Sequence, residues 1–203
     1  MPASDEWFDE HFAATRVMVI LRGLGADTSV EYAERAWEAG VTMLEVPIQS
    51  GRDLEALTAV SRAAARRGLP VGAGTVVDPA QVAIAAAAGA GYTVSPGTDT
   101  AVIRVSLDAG LPTLPGVGTA SDIQVCRRLG LGWLKAFPAS VLTADWISAM
   151  QGPFPEVSFV ATGGVSSRNA GDFLRAGSRA VSISLSPSRP DQWDALASLA
   201  TSG

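Results

Sequence analysis

Short apolar runs and longer amphipathic stretches alternate along the whole chain. The apolar runs are VMVIL (17–21), MLEVPI (43–48), PVGAGTV (70–76), YTVS (92–95), PTLPGV (112–117), WLKAF (133–137), SFVAT (158–162) and AVSIS (180–184). Runs of this length and composition read as strands buried on both faces, as in a parallel sheet. Between them, SVEYAERAWEAG, DLEALTAVSRAAARRG, DTAVIRVSLDAG and SDIQVCRRLG read as helices. Each closes on a glycine (Gly40, Gly68, Gly110, Gly130), the residue that best ends a helix in a left-handed turn. Asp78-Pro79, Ser121-Asp122 and Thr143-Ala144-Asp145 read as helix starts. Strands alternating with helices in this number predict an α/β fold, a closed (β/α)₈ TIM barrel with short loops. A short N-terminal helix is expected over roughly 6–15, ahead of the first strand. An open doubly wound sheet is the alternative, but no GxGxxG follows the first run. No linker divides the chain, so one domain spanning 1–203 is expected.

Composition narrows the chemistry. The 47% hydrophobic content and 21 glycines fit a compact protein with a sizeable core. A net charge of −5 with scattered arginines argues against nucleic acid, which needs a clustered basic face. One histidine (His11) and one cysteine (Cys126) leave no HxxxH or CxxC spacing, so no metal or cofactor is expected. The opening MPASDEWFDEHF lacks the basic and apolar regions of a signal peptide, and VAIAAAAGAGYTV is too short to span a bilayer. A cytoplasmic enzyme or binding protein, with no membrane partner, is the expectation.

In a barrel of this kind the chemistry gathers at the C-terminal ends of the strands. Those ends carry Arg22, Glu45 with Gln49, Thr75, Ser95, Pro115-Gly116, Lys135, Thr162-Gly163-Gly164 and Ser184. Lys135 is the only lysine beside fourteen arginines, and it stands in the apolar run GLGWLKAFPAS. Strand alternation puts Trp133, Lys135 and Phe137 on one face. A lysine aimed inward between two aromatics is desolvated, which favours the free amine, a nucleophile able to form a Schiff base with a carbonyl. The bland alternative is a lysine snorkelling to the strand end for an ion pair. Glu45 is a carboxylate in an apolar strand. It calls for a partner, Arg22 or Lys135, or for a task as general acid/base. Arg22 offers a planar fork for a carboxylate. GAGT (72–75) allows close backbone approach to a ligand, and ATGGV (161–165) resembles an anion cradle at a helix start.

ILRG, LEVPIQS, GAGTV, VSPG, LPGVGTASD, LKAFPA, GPFPEVSFVATGGV and AVSIS occur in this order. Over roughly 16–187 the chain thereby resembles the 2-keto-3-deoxy-6-phosphogluconate and 4-hydroxy-2-oxoglutarate aldolases, and the related 2-keto-3-deoxy-6-phosphogalactonate aldolases. The resemblance implies a class I lyase on a (β/α)₈ barrel, usually a homotrimer. It would cleave a 2-keto-3-deoxy sugar acid or 4-hydroxy-2-oxoglutarate to pyruvate and an aldehyde. It also implies Lys135 as the Schiff-base lysine, Glu45 as the acid/base and Thr75 beside the pyruvate carboxylate. Phe137 would flank the lysine, Arg22 would bind the carboxylate, and Pro96 of VSPG would line the substrate site. Thr162, Gly163, Gly164 and Ser184 would face the substrate's far end. Gln49 stands where some members carry an arginine, which leaves Arg22 as the sole carboxylate clamp.

Two departures from the family's pattern stand out, the first at that far end and the second, at Ala161, of little expected consequence. Ser182 and Ser184 replace glycines common in the family's last strand, with Leu185 where a serine is common. Ala161 replaces a proline. Added side chains narrow a phosphate pocket, with the Ser184 and Ser186 hydroxyls as substitute donors. Two alternatives follow: an aldolase for an unphosphorylated 2-keto acid, and a non-catalytic 2-keto-acid-binding relative.

Overall fold

The computed structural model describes residues 4–189 and 192–200. The limits expected for the domain, 1 and 203, lie outside the described residues. Strands β1 (Val17–Ile20), β2 (Met43–Pro47), β3 (Val71–Gly74), β4 (Tyr92–Val94), β5 (Thr113–Leu114), β6 (Gly116–Val117), β7 (Trp133–Ala136), β8 (Ser158–Thr162) and β9 (Ala180–Ser184) form one parallel sheet. Its order is β5-β4-β3-β2-β1-β9-β8-β7-β6. β5 and β6 are two halves of one barrel strand, parted at Pro115, which has no N–H to give the ladder. The ladder still crosses the break. The Ser95 N–H donates to the Leu114 carbonyl at 3.2 Å on one side, and the Lys135 N–H donates to the Pro115 carbonyl at 2.9 Å on the other. The same short segment thus pairs with both neighbours, and the sheet closes into the expected (β/α)₈ barrel.

The helices are α1 (Ser4–Phe12), α2 (Ala26–Glu38), α3 (Gly51–Ala65), α4 (Pro79–Ala87), α5 (Thr100–Asp108), α6 (Ala120–Arg128), α7 (Ala139–Gln151), α8 (Ala170–Arg175) and α9 (Gln192–Ala200). The four expected C-terminal glycines all turn left-handed, with φ of 86° at Gly40, 68° at Gly68, 73° at Gly110 and 81° at Gly130. Asp78 caps α4 as expected, accepting from the Ala80 N–H at 2.7 Å. Other boundaries move. α1 covers 4–12 rather than 6–15, because Ser4 is tied to the Thr113 backbone N–H at 3.1 Å and draws the helix start back. α6 is capped by Thr119, whose hydroxyl and the Asp122 carboxylate satisfy each other's backbone N–H. Ser121-Asp122 therefore lies inside the first turn. Thr143 does stand at a helix start, where two helical segments of α7 meet at a kink and its φ is 70°.

Side chains alternate strictly across the barrel wall, and this divides the core in two. Val17, Val19, Leu44, Val46, Val71, Ala73, Leu134, Ala136, Phe159 and Ala161 face the helices. Met18, Met43, Tyr92, Val94, Leu114, Trp133, Val160 and Ala180 fill the interior near the strand starts, together with Phe8 and Phe12 of α1. The N-terminal helix is therefore a plug in the lower mouth of the barrel. Because the lower half is solid aromatic and aliphatic packing, polar groups on the inward faces can collect only toward the strands' C-terminal ends.

Candidate active site

Lys135 is 3% exposed and Glu45 is fully buried, and the Lys135 Nζ lies 3.7 Å from the Glu45 Oε2. Both point inward, from β7 and β2. Trp133 lies beneath the lysine on the same face, and the Phe137 ring centroid is 5.3 Å from Nζ. Of the two partners considered for Glu45, the geometry selects Lys135; Arg22 instead donates to Gln49 Oε1. The 3.7 Å gap exceeds a charge-assisted hydrogen bond of about 2.7–2.9 Å. Neither Glu45 oxygen has a hydrogen-bond partner among the described residues. A buried carboxylate held this way has lone pairs free to take or give a proton.

The two strand glycines of GAGT make room for neighbouring side chains. A Cβ on Gly74 would lie 2.0 Å from Glu45 Oε1, and one on Gly72 would lie 2.3 Å from the Tyr92 ring. β3 gives up its side chains so that β2 and β4 can extend theirs across the barrel. The close approach is to the protein's own carboxylate and phenol. Thr75, which follows Gly74, holds φ of 59°, unusual for a β-branched residue and a point of backbone strain at the barrel mouth.

Tyr92 is a residue that the sequence reading did not single out. Its hydroxyl donates to the Leu44 carbonyl at 2.7 Å. Burial, reinforced by the nearby Glu45 charge, pushes its phenol well above the ordinary range, so it stays a neutral floor under the carboxylate.

The remaining expected residues fall around this centre. Ser184 pairs in register with Ile20, and Ile20 with Glu45, so β9, β1 and β2 present one tier. Gly116 is the register partner of Lys135. A Cβ on Gly116 would lie 2.2 Å from the Pro96 carbonyl oxygen, so Pro96 packs on β6, the strand next to the lysine's. Thr162 faces inward, buried, its hydroxyl directed to the Val160 carbonyl at 3.3 Å. Gly163 packs on Phe137, where a Cβ would lie 3.0 Å from the ring, and Gly164 leaves no room beside Ser140. Both glycines have positive φ.

Two expectations need correction. Gly163-Gly164 do not open a helix, because α8 begins only at Ala170; the Gly164 carbonyl instead accepts from the Asn169 side-chain amide at 3.1 Å. Ser186, expected as a substitute donor, is engaged with its own neighbours. Its hydroxyl pairs with the Ser188 hydroxyl at 2.8 Å and its N–H donates to Gln192 Oε1 at 2.8 Å. Arg189 donates to the Ser184 carbonyl at 2.7 Å, while the Ser182 hydroxyl is buried with no hydrogen-bond partner among the described residues. A cleft of about 500 Å³ lined by Val76, Ser95, Pro96 and Asp99 opens beside this centre, and neither Lys135 nor Glu45 lines it. Among the described residues no three His, Cys, Asp or Glu side chains cluster to hold a metal ion. No helix among them is long and apolar enough to cross a membrane.

Known proteins resemble this chain over most of its length. The family model for KDPG and KHG aldolase matches residues 8–189. A 2-dehydro-3-deoxy-phosphogluconate aldolase of Pseudomonas aeruginosa is 41% identical over 136 residues, which is 66% of this chain and 61% of that protein. The match thus spans less than two thirds of that relative's length. A probable 2-dehydro-3-deoxy-6-phosphogalactonate aldolase of Rhizobium meliloti is 36% identical over 86% of this chain and 82% of its own. Among solved structures, a KDPG aldolase from Legionella pneumophila, with pyruvate captured as a covalent carbinolamine, superimposes with a TM-score of 0.82. It is 26% identical, over 94% of each chain.

Proposed function

The chain belongs to the KDPG and KHG aldolase family, and on that premise we propose that it is a class I aldolase. Its substrate is a 2-keto-3-deoxy sugar acid of the 6-phosphogluconate type, or 4-hydroxy-2-oxoglutarate, cleaved reversibly to pyruvate and an aldehyde. The observation that carries this reading is the buried Lys135–Glu45 pair at 3.7 Å, set at the C-terminal side of the barrel above a floor of Trp133 and Tyr92.

In the proposed sequence the buried pair first passes a proton from Lys135 to Glu45, and the freed amine attacks the C2 carbonyl. An N–H proton moves to the carbonyl oxygen, and Glu45 returns its proton to that hydroxyl, which leaves as water. The resulting iminium draws the C3–C4 bonding electrons as that bond breaks, while the C4 hydroxyl gives its proton to the Glu45 carboxylate and the aldehyde departs. The enamine that remains takes a proton at C3 and is hydrolysed to pyruvate, restoring the amine. Glu45 suits each transfer because its oxygens are unpartnered, and its negative charge favours the cationic intermediates. Arg22, held by Gln49, is assigned to the substrate carboxylate, with Thr75 beside it. Pro96 and Phe137 flank the reacting carbons. Thr162, Gly163, Gly164 and Ser184 line the way to the substrate's far end.

One aldolase domain spanning 1–203, assembled as a homotrimer in the cytoplasm, completes the reading. Assembly is supported by large apolar side chains left exposed just before and on α4, Val77 at 54% and Ile84 at 47%. The deciding experiment is borohydride reduction in the presence of pyruvate, followed by peptide mapping. An adduct on Lys135, together with pyruvate release from these 2-keto acids, is expected. Absence of any adduct at millimolar pyruvate removes the Schiff-base mechanism.

A further inference from the structure

Two aspartates of the plug helix grip the strand that carries the lysine. The Asp5 carboxylate accepts from the Gly132 N–H, at 2.8 Å and 2.7 Å to its two oxygens, and from the Trp133 N–H at 3.1 Å. One turn on, Asp9 Oδ1 accepts from the Trp133 indole Nε1–H at 3.0 Å. Gly132 is shaped for this grip: a Cβ there would lie 2.7 Å from Asp5 Oδ2. The indole itself stacks on Phe12 with ring centroids 4.9 Å apart and rings 11° from parallel, and it is closed in by Phe8 at 6.0 Å.

Helix packing alone accounts for the aromatic contacts, and an acidic first turn is ordinary for a helix. Neither requires carboxylates aimed at the first residues of β7. What these bonds fix is the start of the strand and the orientation of its first inward side chain. Lys135 is the next inward side chain on β7, roughly 7 Å farther up at the rise of an extended strand. The floor beneath Glu45 is tied to the same helix, because the Tyr92 ring contacts Trp7 and Phe8 with centroids 5.2 Å and 5.8 Å away.

We propose that Asp9 is a positioning residue for catalysis, acting through the Trp133 indole to hold Lys135 at its distance and direction from Glu45. The inference rests on the aldolase reading above and extends it to the opposite mouth of the barrel. A carbonyl attack and the proton transfers that follow tolerate little misplacement, so the penalty for releasing the floor falls on the chemical step rather than on substrate binding.

The test measures steady-state kinetics and the rate of borohydride-trappable pyruvate adduct formation in Asp9→Ala, Asp9→Asn, Trp133→Phe and the double variant Asp9→Ala/Trp133→Phe. Asp9→Ala and Trp133→Phe each lower kcat by roughly tenfold or more, with KM little changed and adduct formation slowed in parallel. Asp9→Asn keeps an acceptor for the indole N–H and recovers most of the rate. The double variant is no slower than the worse single one, because both remove the same bond. Trp133→Phe keeps the aromatic packing, so it decides the matter if Asp9→Ala does not fold. Wild-type rates in Trp133→Phe, or effects that multiply in the double variant, overturn the proposal. If the wild-type protein itself forms no adduct, it is the aldolase reading that fails.

Discussion

Gly74 has no side chain because the Glu45 carboxylate occupies the space a side chain would need: a Cβ there would lie 2.0 Å from Oε1 and 2.6 Å from Cδ. The backbone of one strand thus sets where the neighbouring strand's carboxylate can stand, and with it the 3.7 Å approach to Lys135. Gly74→Ala is expected to drive the carboxylate off the lysine. Pyruvate release should slow by about a hundredfold, as in Glu45→Gln, within the range that general acid–base catalysis contributes. Far-UV circular dichroism should stay that of the parent. A fully active Gly74→Ala protein would show that Glu45 need not stand where it does.

Thr75 carries strain at the barrel mouth, with φ of 59° on a β-branched residue. Asparagine accepts the left-handed region far more readily. Thr75→Asn is expected to raise stability by about 1 kcal/mol in denaturant titration, by relief of that strain. It should also lower kcat/KM, because the threonine hydroxyl is lost from the carboxylate's side of the site. Gain in stability without loss of activity would remove Thr75 from the site.

Gln49 and Arg22 act as one unit, since the guanidinium donates to the amide oxygen. Arg22→Ala is expected to raise KM by roughly tenfold or more, as a charge-assisted contact to the substrate carboxylate is lost. Gln49→Ala should raise KM in the same direction by a smaller factor, about threefold, through a looser guanidinium. The double variant should match Arg22→Ala alone. Independent effects in that cycle would mean that Gln49 meets the substrate by itself.

Cys126 is fully buried on α6, and burial pushes its thiol up from 9.0 to about 11. A raised value means that the folded protein keeps its proton where the unfolded chain has lost it. This contribution to stability is whole below pH 9 and disappears as the pH rises toward about 11. Native protein at pH 8 should therefore react only very slowly with a thiol reagent such as 5,5′-dithiobis(2-nitrobenzoate), and rapidly once unfolded in guanidinium. Rapid reaction of the native state would place the thiol at the surface.

Much of this protein is determined by local sequence. The apolar runs marked every barrel strand, and SFVAT and AVSIS coincide with β8 and β9 to the residue. The closing glycines marked four helix ends, because a left-handed turn admits few other residues. Lys135 and Glu45 stood out for the same local reason: each is a charged group in an apolar strand, which a fold tolerates only with a partner or a task. Strand alternation was enough to place Trp133, Lys135 and Phe137 on one face.

Tertiary structure decided which distant groups meet. Nothing in GAGT tells whether its glycines make room for a ligand or for Glu45 and Tyr92, because that depends on which side chains the neighbouring strands send across the barrel. Nothing in SDEWFDEHF shows that Asp5 and Asp9 reach Gly132 and Trp133, residues separated from them by 127 and 124 positions. The partner of Glu45 was open between Arg22 and Lys135 until the barrel closed, since charge and alternation name the candidates but only the register and curvature of the sheet set the distance between them. Residue type and spacing act along the chain, whereas a catalytic distance is a property of the closed wall.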